Sequence, residues 1–369
     1  MKIILTAGTR PNFIKIAPLI RALKSPSCLN KITWKIVHTG QHYDHEMSQA
    51  FFDDLEITQP DYFLGAGSAS HAVQTARIMT SFENVCMQER PAMIVVVGDV
   101  NSTLACSIVA KKLLIKVAHV EAGLRSGDMS MPEEINRIVT DAISDYFFAT
   151  EQSAVDNLLR EGKSRKKVFF VGNVMVDNLL HQVRKLAGSD IKKKPLYSLK
   201  SRFGKYVFLT LHRPSNVDDR SAFRRIAGAL NDIAHETPII FSVHPRTRKK
   251  MGEFGISLGK NVHLLPPLNF TDSLFLWKDA SLVMTDSGGL QEETTALGVP
   301  CLTLRENTER PITVELGTNT LVGNGKDAII KYAEKILKKG AVGRNIPPKW
   351  DGKAAQRIVK ILCNKLDEK

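Results

Sequence analysis

The sequence predicts an α/β protein built from two doubly wound domains, and three observations carry that expectation. Short apolar, β-branched runs alternate with amphipathic helical stretches along the chain. The 369 residues suffice for two domains at roughly 100–200 residues each. A polar, basic, proline-containing stretch divides the strand-like runs into two sets.

The first set of strands is read at 2–7, 34–39, 93–98, 117–121, 146–149 and 168–171. The second is read at 206–211, 238–243, 262–265, 281–285 and 301–304. Continuous runs such as Met93–Val97 and Val207–Leu211 suit parallel strands buried on both faces. In the first helix, Phe13, Ile16, Ala17, Ile20 and Leu23 fall on one face. Residues 173–200 begin as a helix through Val176, Leu179, Leu180 and Val183. They then reach Gly188-Ser189-Asp190 and Lys192-Lys193-Lys194-Pro195. The expected division is therefore 1–173 and 174–352, with a linker around 184–205. A last helix within 353–369, striped by Ile358, Ile361 and Leu362, can pack on either domain, the N-terminal one included. Ligands of doubly wound sheets bind at the carboxyl ends of the strands, so a cleft between the two domains is the expected site.

Hydrophobic residues make up 43% of the chain and charged residues 24%, which excludes disorder as a whole-chain description. Lys and Arg exceed Asp and Glu by 51 − 38 = +13. That excess favours an anionic partner: nucleic acid, a membrane surface or a phosphorylated small molecule. The basic residues lack the interleaved aromatics of a single-strand binder, and the Lys192–Lys194 run reads more simply as solvated. No apolar stretch approaches the length of a membrane span, and Ile3-Ile4-Leu5 is too short for a signal-peptide core. The five cysteines are odd in number and widely spaced, with no C-x-x-C pair. This argues against a disulfide framework or structural zinc and fits a reducing cytoplasm. There is no G-x-x-x-x-G-K-[ST], Gly65-Ala66-Gly67 lacks the dinucleotide context, and His45-Glu46-Met47 does not continue to a zinc-protease helix.

Unusual residues cluster at the expected strand ends. After the first strand come Gly8, Thr9, Arg10 and Pro11, where a tight turn opens a helix. Arg10, the helix N-terminus and Lys15 one turn further in favour an anion. Asp99 follows the strand ending at Gly98 and is read equally as a helix cap or as a catalytic carboxylate. Glu121 ends an apolar strand, where a carboxylate is costly unless paired or functional. It is read as an acid–base group or as the ion-pair partner of Arg125 or Arg137. Glu133 and Arg137 are four apart and share a helix face, and Arg137, like Lys15, is counted among the expected substrate-binding residues. Converging carboxylates can divide acid and base roles or hold a divalent metal. The surrounding arginines favour acid–base work, and no metal is expected.

In the second half, His212 and His244 each end a strand beside an arginine and can donate to phosphate or act as acids. The segment Thr285-Asp286-Ser287-Gly288-Gly289-Leu290-Gln291-Glu292-Glu293 reads as a strand, a Ser-Gly-Gly turn and a helix start. Its amides and hydroxyl suit a diphosphate, and the Gly288-Gly289 pair lets phosphate approach. Glu293 can accept from ribose hydroxyls, and Arg310 lies toward the same side.

In order and spacing these blocks resemble the non-hydrolysing UDP-N-acetylglucosamine 2-epimerases. They run from Gly8-Thr9-Arg10-Pro11 through Gly98-Asp99, His119–Arg125, Pro132–Arg137 and Asp286–Glu293 to Thr308-Glu309-Arg310-Pro311. The resemblance implies two Rossmann-like domains in a glycosyltransferase-B-like fold. It implies reversible inversion at C2 of UDP-GlcNAc, giving UDP-ManNAc through elimination and re-addition of UDP around a bound 2-acetamidoglucal. By the same resemblance Asp99, Glu121 and Glu133 are the acid–base carboxylates and His212 assists. Arg10, His244, Ser287, Gly288, Glu293 and Arg310 hold UDP. It further implies a homodimer, no cofactor and supply of a surface-polysaccharide precursor.

The chain departs from well-known bacterial members at two places tied there to an activating second substrate site. It has Leu211-His212-Arg213-Pro214-Ser215 for Gly-His-Arg-Arg-Glu, and Gln41-His42-Tyr43 for Gln-His-Arg. It also has Met131 before Pro132-Glu133-Glu134 where a Trp is common. Relatives act on UDP-2,3-diacetamido-glucuronic acid, and hydrolysing relatives release free ManNAc. From other classes, a glycosyltransferase would use the same cradle with less need of three carboxylates. A nucleic-acid binder would spread the positive charge over one face.

Overall fold

A computed structural model of the protein describes residues 1–26, 28, 31–41, 49–188, 190, 192, 196–339 and 345–365. His42, Tyr43, His45-Glu46-Met47, Ser189 and Lys193-Lys194-Pro195 lie outside the described residues. The chain runs β1 (Lys2–Ala7), α1 (Arg10–Leu23), β2 (Thr33–His38), α2 (Gln49–Leu55), β3 (Tyr62–Phe63) and α3 (His71–Glu89). There follow β4 (Met93–Val97), α4 (Asn101–Lys112), β5 (Lys116–Val120), α5 (Pro132–Ile143), β6 (Tyr146–Ala149), α6 (Gln152–Arg160), β7 (Val168–Phe170) and α7 (Val174–Ala187). The next elements are α8 (Tyr197–Ser201), β8 (Val207–Leu211), α9 (Pro214–Val217), α10 (Arg220–Glu236), β9 (Ile239–Val243), α11 (Pro245–Phe254) and β10 (Val262–Leu265). The last are α12 (Phe270–Trp277), β11 (Leu282–Thr285), α13 (Gly288–Leu297), β12 (Cys301–Thr303), α14 (Pro311–Glu315), β13 (Asn319–Leu321), α15 (Lys326–Lys339) and α16 (Ala354–Lys365).

Two compact units result: Met1–Asn178 with Pro348–Lys369, and Leu179–Pro347. The first holds a parallel sheet in the order β3-β2-β1-β4-β5-β6-β7, the second one in the order β10-β9-β8-β11-β12-β13. Both are doubly wound. The order reverses between β1 and β4 in one unit and between β8 and β11 in the other, and ligands of such sheets bind at these switch points. All five residues of β4 are buried, because helices cover both faces of its sheet. The edge strands β3 and β13 escaped the sequence reading. At two and three residues they are too short to carry a period.

In the first unit, one face of the sheet packs on α1 and α16, with Phe13, Ile16 and Ile20 against Ala354, Ile358 and Leu362. The closing helix is anchored by Asp177 on α7, whose carboxylate accepts from the Ala354 and Ala355 amides at 3.1 and 2.7 Å. Asp177→Ala is expected to cost about 1–2 kcal/mol, the usual worth of a lost helix cap. Thermal unfolding would read it, and an unchanged midpoint would deny the anchor. No helix among the described residues is long and apolar enough to cross a membrane.

Candidate active site

The switch point of the first unit is assembled from the turns after β1, β4 and β5. Thr9 starts α1 with a capping box. Asn12 Oδ1 accepts from the Gly8 and Thr9 amides at 3.1 Å each, and Asn12 Nδ2 donates to the Val97 carbonyl at 3.2 Å. One side chain thus ties the β1 turn to the end of β4. A Cβ on Gly8 would lie 2.0 Å from Ser102 Oγ, so close packing of α4 requires glycine there. Arg10 is partly exposed, with its guanidinium 5.0 Å from the centre of the Phe51 ring.

Lys15 does not stand free for an anion. It is buried and forms an ion pair with Glu121, which is also buried. Glu121 therefore pairs with neither Arg125 nor Arg137. Arg125 joins Asp141 and Glu161 instead, at 2.8 and 2.7 Å. Glu121 has φ 73°, in the left-handed region that non-glycine residues avoid at a cost of roughly 1–3 kcal/mol. The strain is held because both the Glu121 and Ala122 amides donate to the Phe148 carbonyl, at 3.0 and 3.2 Å. Gly98 has φ 68°, and a Cβ there would lie 2.8 Å from Lys15 Nζ.

Asp99 does not cap α4. That helix begins after Val100 with no side-chain cap. The Asp99 carboxylate instead takes the Arg137 fork, with Nη2 at 2.8 Å and Nε at 3.1 Å. Arg137 also pairs with Glu134, not with Glu133. Glu134 is buried and accepts from the Ser126 and Gly127 amides at 3.0 and 2.9 Å. Burial alone would raise its carboxyl, but these amides and Arg137 outweigh burial and hold it below the usual range. Glu133, in the same first turn of α5, is exposed.

A buried pair behind these groups was not assigned from sequence. His119 is fully buried, with Nδ1 2.7 Å from Asp141 and Nε2 2.8 Å from the Gly98 carbonyl. Asp141 also accepts from the Gly123 amide at 3.0 Å. The pair therefore braces the turns that carry Asp99 and Glu121. A histidine inside the apolar run Val117–Val120 was its signal.

In the second unit, the turns after β8 and β11 meet at Asp286. This carboxylate is fully buried. It accepts from the His212 and Arg213 amides at 3.1 and 2.9 Å, lies 3.0 Å from His212 Nδ1, and takes Asn216 Nδ2 at 3.2 Å. Burial alone would raise Asp286, but His212 and the two amides outweigh it and hold the group below the usual range. The His212 and His244 rings stand 5.7 Å apart, so the two histidines do share one edge. His244 caps α11, its Nδ1 accepting from the Arg246 amide at 3.2 Å, which leaves Nε2 to donate. Burial, with His212 nearby, lowers its pKa below the ordinary value.

Ser287 starts α13 with no side-chain cap bond, so its hydroxyl is not used up by the helix. Gly288 and Gly289 form the first turn, and a Cβ at either would meet no atom of another segment within 4 Å. Helix amides open to space form an anion cradle. Arg310 pairs with Glu292 at 3.0 Å. Burial, reinforced by the Glu292 charge, pushes Glu293 up to about 8.

Strand order and switch-point turns define an α/β protein of two Rossmann-like units, each gathering charged and polar side chains at its switch point. The family model for UDP-N-acetylglucosamine 2-epimerase matches residues 27–363. The UDP-N-acetylglucosamine 2-epimerase of Methanocaldococcus jannaschii is 44% identical over 368 residues, 98% of this chain and 99% of that protein. Its crystal structure in complex with UDP-GlcNAc and UDP has a TM-score of 0.84, covering 99% of this chain and 100% of that one at 43% identity. The UDP-2,3-diacetamido-2,3-dideoxy-D-glucuronate 2-epimerase of Pseudomonas aeruginosa is 41% identical over 366 residues, 98% of this chain and 99% of that protein. The chain belongs to the UDP-N-acetylglucosamine 2-epimerase family of isomerases, with its glycosyltransferase-B-like α/β architecture.

Proposed function

We propose that the chain inverts C2 of UDP-GlcNAc reversibly, giving UDP-ManNAc for surface-polysaccharide synthesis. One observation supports this most within the family: Asp99 and Glu121 leave adjacent strands, β4 and β5, at their carboxyl ends, each against a cation. The C2 hydrogen of the sugar has no neighbouring ring carbonyl and is only weakly acidic. Cleavage of C1–O must run ahead, leaving positive character that carboxylates stabilise. Asp99, Glu121 and Glu133 are assigned the proton transfers at C2 on the two faces, and His212 assists. Elimination and re-addition of UDP is redox-neutral, so a nicotinamide is not required.

The departing UDP is negative and is assigned to Arg10, His244, Arg310, Ser287, Gly288 and Gly289, with the ribose on Glu293. Lys15 and Arg137 are assigned as counterions of the carboxylates rather than direct ligands. Glu293 supplies a pH signature. With its pKa raised to about 8, Glu293 favours the protonated form near neutral pH, whereas a ribose hydroxyl donates more strongly to the carboxylate than to the neutral acid. UDP binding is then expected to release a proton and to tighten by up to about tenfold between pH 7 and 9. Calorimetry in buffers of different ionisation enthalpy reads this, and Glu293→Gln should flatten it.

Proton NMR with UDP-GlcNAc in deuterated water tests the reaction. UDP-ManNAc carrying deuterium at C2 supports it, whereas free ManNAc with UDP points to hydrolysis. A second reading is epimerisation of UDP-2,3-diacetamido-glucuronic acid. The Pseudomonas aeruginosa relative favours it, at an identity close to that of the UDP-GlcNAc enzyme. Turnover of only that sugar would select it. The family resemblance further supports a cytoplasmic homodimer, which light scattering on the purified chain checks.

A further inference from the structure

The cysteines are not all scattered. Cys28 lies just beyond α1, and Cys363 lies in the last turns of α16. They are 335 residues apart in sequence, yet their Sγ atoms are 3.3 Å apart. Each is 6% exposed, so the pair sits just beneath the surface. The helices that present them pack together through the core of the first unit. Bond formation needs the sulfurs to close from 3.3 Å to about 2.05 Å.

We propose that Cys28 and Cys363 are a redox-sensitive pair whose oxidation staples the closing helix α16 to the end of α1. A low-molecular-weight disulfide is the oxidant. One cysteine thiolate attacks it, forming a mixed disulfide and releasing one small thiolate. The second cysteine thiolate then displaces the other small thiolate, joining the two protein sulfurs. The protein loses two protons and two electrons, and the oxidant becomes two thiols. The bond closes a loop of nearly the whole chain, where the constraint on the unfolded state is largest.

The remaining cysteines are poor competitors. Burial pushes the Cys86 thiol up to about 12 and the Cys301 thiol up to about 11, and raises Cys106 as well. Thiols held protonated do not attack disulfides. The selectivity of the pair stands on its proximity.

The full chain, equilibrated with oxidised and reduced glutathione, tests this after acid quench, alkylation in denaturant and peptide mapping. The expected product is a protein lighter by two hydrogens, with one cross-linked peptide joining Cys28 to Cys363. Cys86, Cys106 and Cys301 should all be alkylated. The oxidised protein should unfold several degrees above the reduced one, and Cys28→Ser or Cys363→Ser should remove that gain. If a serine variant fails to fold, the peptide map of the unaltered protein decides alone. Five alkylated thiols, a stable mixed disulfide with no cross-link, or an oxidised form less stable than the reduced would each overturn the proposal.

Discussion

Glu121→Gln is expected to lower kcat by about 10²–10⁴-fold, the usual worth of a positioned acid–base group, while UDP binding is retained. Glutamine keeps the shape of the side chain and its carbonyl still accepts from Lys15, so the buried ammonium is not left without an acceptor. It cannot take a proton from carbon. The residue also sits at φ 73°, held by the Phe148 carbonyl. Strain persisting at a strand end points to a required side-chain direction. The check is deuterium exchange at C2 together with calorimetry of UDP binding. Retained turnover would reduce Glu121 to a structural counterion of Lys15. Lost UDP binding would move it into the nucleotide site.

Asp286→Ala is expected to destabilise the second unit by about 3–5 kcal/mol, the range for removing one partner of a buried charged network. The change strips the acceptor from two amides, the Asn216 amide group and His212 Nδ1. Asn216 keeps the Leu304 carbonyl at 2.8 Å and the part-exposed His212 can turn to water, but the two backbone amides lose their side-chain acceptor. Asp286→Asn keeps one acceptor and should cost less stability, but it weakens the hold on His212 and should lower kcat. The pH dependence has a definite sign. The folded pKa is depressed, so the stabilisation is fully present above the ordinary carboxylate value of about 3.9. It is lost as pH falls through the lower folded value. The gap in denaturant midpoint between the unaltered protein and Asp286→Ala should hold from pH 7 to about pH 4 and narrow only below that. Equal midpoints at pH 7 would remove Asp286 from the account of the fold.

Long central strands were legible because β-branched runs such as Met93–Val97 and Val207–Leu211 carry their own burial signal. The Gly-Gly turn after β11 and the carboxylates after β4 and β5 were legible because glycine and charge stand out against apolar strands. Edge strands β3 and β13 were not, since their few residues are defined by a neighbour's hydrogen bonds. The partners of the charged groups were not legible either. Spacing along a helix offered Glu133 to Arg137, whereas the fold buries Glu134 against it and turns Glu133 to solvent. No spacing rule connects Lys15 to Glu121, His119 to Asp141, or Cys28 to Cys363.

The sequence by itself determined two doubly wound sheets and which strand ends gather charged residues and glycines. Those properties depend on local periodicity, turn residues and the cost of a charge beside an apolar strand. Only the tertiary structure decided who pairs with whom. Parallel sheet order brings β1, β4 and β5 together across long stretches of intervening chain. A buried charge then takes the partner that this order places within reach, whatever its distance along the chain.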